Sequence, residues 1–325
     1  MTYTVTRESF ETLALQWEAK LSFCDTDSLF LAPMWQRLWW SAFGKEDLLL
    51  LAFHQGETLL GIAPLIQKDG QVSLLGQKEF FDYMDFISPR DTREAFLSSF
   101  IDFMVSEGWH TLSVPSIPGW SPTLALLPEI ARSRGLHVEI KDEDTAPGLK
   151  LPPTWDEYLS SLSKKDRHEL RRKFRRLNES VQWRHYICSD ISSLLLCAED
   201  FFHLMRESRE EKDRFLTQER EDFMLSAVER LTKENIARLY FLEVNGARVA
   251  SAMCFDYKGT RFLYNSGFDP SLSHLSVGLL LKALCIKEAI EQKLVFFDFL
   301  RGNEPYKYHL GGLDRPIYEL TVSRG

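Results

Sequence analysis

Arg261-Phe-Leu-Tyr-Asn-Ser-Gly267 is followed by Ser276-Val-Gly278, which opens an apolar run to Gln292, then by Val295-Phe-Phe-Asp298-Phe-Leu300 and Arg301-Gly-Asn-Glu304-Pro-Tyr306-Lys307. Aromatic and β-branched stretches on either side of a helix-length apolar run predict strand, loop, helix, strand and polar turn. A strand that returns through a helix to a parallel neighbour leaves a crevice at the strands' C-terminal ends. The helix N-terminus aims free N–H groups into that crevice, where a phosphate can be held. Asp298, Glu304, Tyr306 and Lys307 all lie at or beyond the end of the second strand. An anion cradle and proton-transfer groups are therefore expected in one place.

Upstream, Arg238–Val244, Asn245-Gly246, Arg248–Tyr257, Lys258-Gly259 and Arg261–Tyr264 read as strands joined by tight turns. Leu48–His54, Gln55-Gly56, Thr58–Gln67, Asp69-Gly70 and Gln71–Leu75 show the same order 190 residues earlier. Each meander precedes a helix and a strand, Glu94–Ser106 with His110–Val114 in the first case. The expected fold is α/β, two tandem units, each a mixed twisted sheet flanked by helices. The expected boundaries are 1–145 and 146–325, and the acidic, Pro- and Gly-containing stretch Lys141 to Pro153 reads as the linker.

Further helices are expected over Glu8–Leu21, from Pro33, and over Leu124–Arg134, Ile191–Arg214 and Glu219–Leu231. Pro115 to Pro122 reads as a loop. Thr154-Trp-Asp-Glu157 is a capping box that opens a long basic helix over 154–179. Within it, Ser163 to Leu177 carries eight Lys and Arg against two acidic residues, with Arg167, Arg171 and Arg175 in one row at i, i+4, i+8. That local field can hold a phosphate, a tRNA end or an acidic lipid surface.

The 325 residues carry a net charge of −8, which argues against broad binding to DNA. Five cysteines without a CxxC pair fit a reducing compartment, and a cytoplasmic protein is expected, with peripheral contact at the inner membrane left open. No transmembrane segment is expected, since the apolar run Leu48–Phe53 is far short of the ~20 residues needed for a span. There is no GxSxG elbow, P-loop, HExxH or strand-linked GxGxxG, and no metal is expected.

Asp298 interrupts an apolar strand, so it is either braced or an acid/base group. Glu304 is a second candidate base, Tyr306 a candidate acid, and Lys307 a candidate holder of a phosphate or oxyanion. Ser276, Val277 and Gly278 at the helix mouth, with Arg167 and Arg171, are the candidate donor-binding residues. Asp82, Tyr83 and Asp85 after the first meander, with Tyr264, are the candidate substrate contacts.

Phe262-Leu-Tyr-Asn-Ser-Gly-Phe-Asp-Pro270, Ser276-Val-Gly278 and Phe297-Asp298 to Lys307 resemble the C-terminal signature of the BioF2-like acetyltransferases, the CelD (BcsL) group of the GNAT superfamily. Ser163-Lys-Lys-Asp-Arg167 with Arg171-Arg172 looks like the basic helix before the second GNAT unit there, and Pro33-Met-Trp35 and Gly61-Ile-Ala-Pro-Leu65 resemble its N-terminal segments. The resemblance implies two tandem GNAT-like units related to the FemAB peptidyltransferases, the first acceptor-binding or structural, the second donor-binding and catalytic; the crevice between the two units is the expected active site. It implies transfer of an acyl group from acetyl-CoA or another acyl-CoA to a small-molecule or glycan amine, in exopolysaccharide or cell-envelope synthesis. The loop Leu272 to Leu279 holds one glycine instead of the Q/R-x-x-G-x-G/A run that cradles the CoA pyrophosphate. An acyl carrier protein, an aminoacyl-tRNA, or a non-catalytic binding role therefore stand as alternatives.

Overall fold

The computed structural model describes residues 3–188 and 190–324. The chain divides into two compact units, residues 1–145 with 315–325 and residues 146–314. The first begins with β1 (Thr4–Glu8), α1 (Phe10–Leu21) and α2 (Pro33–Phe43). Then come the meander β2 (Asp47–Gln55), β3 (Thr58–Lys68) and β4 (Gln71–Leu74), α3 (Arg93–Ser106), β5 (Thr111–Pro118), α4 (Pro122–Ser133) and β6 (His137–Thr145).

The second unit contains β7 (Gly148–Lys150), α5 (Trp155–Ser161), α6 (Lys164–Ser180), β8 (Trp183–Cys188), α7 (Ile191–Ser208), α8 (Glu210–Phe215) and α9 (Gln218–Lys233). Its meander is β9 (Ala237–Val244), β10 (Ala247–Tyr257) and β11 (Thr260–Phe268), followed by α10 (Val277–Glu291), β12 (Phe296–Asp298) and α11 (Pro305–His309). The last strand, β13 (Pro316–Ser323), joins the first sheet. The sheets run β1-β2-β3-β4-β5-β13-β6 and β7-β12-β11-β10-β9-β8.

Both sheets share one plan. An antiparallel meander leads through a helix to a strand parallel to the meander's last member: β4 beside β5, and β11 beside β12. Turn chemistry explains the meanders. Asp69-Gly70, Asn245-Gly246 and Lys258-Gly259 all have positive φ at both positions, which matches the right-handed twist of the flanking strands. In the first unit the core is aromatic, with Phe53 edge-on to Phe96 at 5.3 Å and Trp17, Trp35 and Trp39 fully buried. In the second, Leu280, Leu281, Leu284 and Ile286 of α10 pack with Leu242, Ala250, Ala252 and Leu263 of the sheet.

Five local expectations change, the first being that the expected helix Ile191–Arg214 is two, α7 and α8, broken where Arg209 turns extended. The expected linker is two strands, because β6 runs to Thr145 beside β13 and β7 pairs with β12. The expected second unit, 146–325, loses residues 315–325 to the first sheet, since β13 finds its hydrogen-bond partners on β5 and β6. The expected helix 154–179 is two, broken where Leu162 and Ser163 turn extended and Ser163 caps α6 through the Asp166 N–H at 3.0 Å. Pro115 to Pro118 belongs to β5, because the register slip opposite Tyr318/Leu320 lets the strand absorb Ser116 at φ 53°.

Candidate functional site

The site grows from the way β11 and β12 part. They pair over three residues only, Thr260 with Phe296, Arg261 with Phe297 and Phe262 with Asp298. β12 then stops, while β11 continues to Phe268 with β10 alone beside it. A register slip against β10 leaves Tyr264 as an extra residue, and such bulges bend a strand. On the opposite face, Gly267 lets α7 approach closely: a Cβ there would sit 2.3 Å from the Leu204 carbonyl carbon and Met205 nitrogen.

The space so formed is a cavity of about 280 Å³ within the second unit. Ser266 and Phe268 line it from β11, Gly278 and Lys282 from α10, Glu304 and Tyr306 from the turn into α11, Arg209 from between α7 and α8, Lys212 from α8 and Lys173 from α6. Four cations face one carboxylate.

α10 opens onto this cavity. Ser276 caps it with left-handed backbone (φ 59°, ψ 34°) and makes no side-chain cap. Its hydroxyl instead accepts from Lys173 Nζ at 2.9 Å and Arg176 Nη2 at 3.3 Å. The N–H groups of Val277, Gly278 and Leu279 have no acceptor among the described residues, as the first turn of a helix requires unless a ligand or cap supplies one. A Cβ on Gly278 would meet the Phe268 ring at 3.0 Å, so glycine keeps the mouth open.

Lys282, one turn further on, is buried at 6% exposure in the otherwise apolar first half of α10. Its ammonium donates to Gly278 O at 3.2 Å and stands 4.7 Å from the centre of the Tyr306 ring. Burial pushes its pKa down to about 8, with Arg209 adding to the effect. Lys212 donates from Nζ to Asn265 Oδ1 at 2.8 Å and to Ser266 O. Burial, then the charges of Lys282 and Arg209, push its pKa down to about 7.

The loop after β12 is built around Lys307, which is 1% exposed. Its ammonium donates to Leu300 O (2.9 Å), Arg301 O (2.6 Å) and Gly302 O (2.9 Å), and pairs with Glu304 Oε2 at 3.0 Å. Burial alone would raise the Glu304 pKa, but Lys307 and then Arg209 bring it below the usual carboxylate value. The Tyr306 hydroxyl makes no hydrogen bond among the described residues, and burial raises its pKa. Asp298, 2% exposed, accepts the Leu300 N–H at 2.9 Å, which fixes Leu300 at φ 60°.

Among the residues singled out from sequence, the structure gathers Ser276, Val277, Gly278, Glu304 and Tyr306 around one cavity. Asp298 and Lys307 lie behind its wall: both are buried, one holding a loop N–H and the other three loop carbonyls. Tyr264 packs on Phe255 at 4.9 Å and is not part of the lining. Arg167 donates to Ser160 O at 3.3 Å and Arg171 is exposed. They flank the wrong shoulder of the stripe Leu170, Phe174, Leu177; Lys173 and Arg176, on the other shoulder, reach Ser276.

Asp82, Tyr83 and Asp85 belong to the first unit. Asp85 is 3% exposed and accepts from Thr26 (2.9 Å), Ser121 (2.5 Å) and the Phe86 N–H (2.8 Å), so it braces that unit's interior. Arg315 donates to Tyr83 Oη at 2.6 Å and lies 4.5 Å from the Trp120 ring, while Asp82 is half-buried. Lys212, Arg209 and Lys282 were not singled out. Lys282 had a signal, a lone charge inside Leu279-Leu-Leu-Lys-Ala-Leu-Cys-Ile286; Lys212, in the charged run Glu210–Arg214, had none.

Residues 164–308 match the family model of an acetyltransferase (GNAT) domain. Three solved structures are similar over nearly all of the chain. FemX superposes with a TM-score of 0.66 at 11% identity, over 98% of this chain and 96% of its own. The C-terminal domain of a protein assigned as a lysylphosphatidylglycerol synthetase from Agrobacterium fabrum gives 0.61 at 11%, over 98% and 93%. A tandem GNAT protein from the clavulanic acid biosynthesis pathway gives 0.53 at 14%, over 100% and 99%. No curated protein matches the chain. The fold is thus two GNAT-like units, and the cavity lies in the one that carries the matched domain. Among the described residues, no helix is long and apolar enough to cross a membrane and no cluster of His, Cys, Asp and Glu is placed to hold a metal.

Proposed function

We propose that the chain is an N-acyltransferase that moves an acyl group, acetyl in the simplest case, from a CoA thioester to an amine. One observation carries this: Lys173, Arg209 and Lys282 converge with the free N–H groups of α10 on a single cavity of a GNAT domain. Helix N-termini and cations both favour phosphate. Here side-chain cations do the work for which a glycine-rich loop would use backbone amides.

Catalysis needs the amine, neutral, against the thioester carbonyl, and stabilisation of the oxyanion that forms. Lys282, desolvated over Tyr306, is placed to hold negative charge. Tyr306 keeps its proton through neutral pH, so its part is a hydrogen bond to the oxyanion or the departing sulfur; full proton transfer to a thiolate would run uphill. Glu304, held low by Lys307 and Arg209, stays ionised and is suited to accepting a hydrogen bond from the acceptor amine. The resemblance to the CelD group supports an amine on a small molecule or glycan, within exopolysaccharide or envelope synthesis, as the acceptor.

The test is calorimetry and thermal shift with acetyl-CoA, longer acyl-CoAs and free CoA. Saturation at ~100 times Kd adds about 2.7 kcal/mol. Binding by free CoA that is lost in Lys282→Met and Lys173→Ala supports the reading. Absence of any shift, together with ribonuclease-sensitive transfer from an aminoacyl-tRNA, would replace it with the FemAB-like alternative.

A further inference from the structure

Lys212 is held in a manner that a mere surface lysine is not. Its nitrogen meets two fixed acceptors on the bulged end of β11, Asn265 Oδ1 at 2.8 Å and the Ser266 carbonyl, and it lines the cavity together with Glu304 and Tyr306. Asn265 is itself fixed, since its Oδ1 also accepts the Ser266 N–H at 2.9 Å. An amine that has lost its third proton has two N–H groups and one lone pair. Two acceptors orient the two N–H groups, and the lone pair is then turned away from the strand, toward the cavity.

The charges around it push the same way. Arg209 beside it on the chain, Lys282 from α10 and Lys307 behind the loop all disfavour another cation there, while Glu304 is the one carboxylate that opposes them. Lys173 completes the ring of cations from α6. Glu304 is the weaker base of the two, because its ion pair with Lys307 holds it below the ordinary carboxylate range.

We propose that Lys212 is the proton acceptor of the transfer, taking the proton from the attacking amine. This rests on the acyl-transfer reading above. The acceptor nitrogen bonds to the thioester carbonyl carbon, giving a tetrahedral adduct with a positive nitrogen. That nitrogen gives one proton to Lys212 Nζ, the carbon–sulfur bond breaks, and the Lys212 ammonium returns the proton to the thiolate. Amine and thioester become amide and thiol, and Lys212 ends neutral, as it began.

The decisive variant is Lys212→Arg. It retains N–H donors for Asn265 and Ser266 but cannot be deprotonated at working pH. Thiol release would be followed with acetyl-CoA as donor and glucosamine, lysine methyl ester and an alkylamine as acceptors, alongside Nζ NMR titration of the lysines without substrate. Expected are a folded Lys212→Arg that still binds free CoA, a fall in kcat/KM of about 100-fold or more, and a wild-type lysine titrating near neutral pH that vanishes in the variant. A Lys212→Arg enzyme within about threefold of wild type, or a wild type with no lysine titrating between about pH 6 and 8, overturns the assignment of Lys212 and leaves acyl transfer standing. A wild type that moves no acyl group to any of these amines overturns the transfer reading, and this proposal with it.

Discussion

Lys307 and Glu304 form an ion pair of 3.0 Å, and the same ammonium donates to three successive carbonyls, of Leu300, Arg301 and Gly302. Every proton of a fully buried lysine is therefore spent on one loop, which hangs Glu304 and Tyr306 over the cavity. Lys307→Met leaves three carbonyls and a carboxylate without their donor. Breaking such a buried pair costs about 3–5 kcal/mol, which lowers the melting temperature by roughly 10 °C. Calorimetry decides the matter: a variant melting within about 2 °C of wild type would mean that the loop holds without its clamp.

Gly267 is where helix α7 touches β11. A Cβ there would stand 2.3 Å from the Leu204 carbonyl carbon and Met205 nitrogen, and backbone atoms cannot rotate away. Gly267→Ala must shift α7 or β11, and overpacking of this kind costs about 1–3 kcal/mol or more. Ser266 and Phe268 on either side line the cavity, so donor affinity should fall together with the urea midpoint. A stable variant with intact binding would show that the helix slides freely over the strand.

Asp85 tests the division of labour between the units. Thr26, Ser121 and the Phe86 N–H all lose their acceptor in Asp85→Ala, each buried donor costing about 1–3 kcal/mol if left unmet. The expected result is an early-melting first unit with CoA affinity unchanged. Affinity falling in step with stability would give Asp85 a part in binding.

The fold was readable because its signals are local and repeated. The Asp-Gly and Asn-Gly turns set the meanders, and the apolar run from Val277 could only be a buried crossover helix. The helix mouth at Ser276–Gly278 and the Glu304–Tyr306 turn followed from that crossover, since chain order alone brings them to the same end of the sheet. Sequence could not say which shoulder of α6 faces inward, because Arg171 and Lys173 flank the same apolar stripe equally well. Nor could it place Lys212, whose partners Asn265 and Ser266 lie more than fifty positions away. β13 was assigned to the wrong unit for the same reason: an eight-residue strand carries no mark of which sheet it will complete.

Lys282 should trade stability for binding. Its pKa is pushed down to about 8 from the usual 10.5, chiefly by burial. Below about 8 the folded chain bears a buried charge; above it, the folded chain has released the proton that the unfolded chain keeps until about 10.5. The unfolded state therefore binds more protons in that interval, and stability rises with pH across it. Lys212 adds a rise of the same sign that begins lower, at about 7. Lys282→Met, similar in length and apolar, removes its share of the slope and stabilises the protein at neutral pH. The same change removes a cation from the cavity and should weaken free-CoA binding at least about tenfold, or 1.4 kcal/mol. Urea midpoints at pH 6, 8 and 10, with calorimetry on the same samples, measure both effects. Equal slopes in wild type and variant would mean that the Lys282 ammonium is solvated, and unchanged CoA affinity would remove it from the anion site.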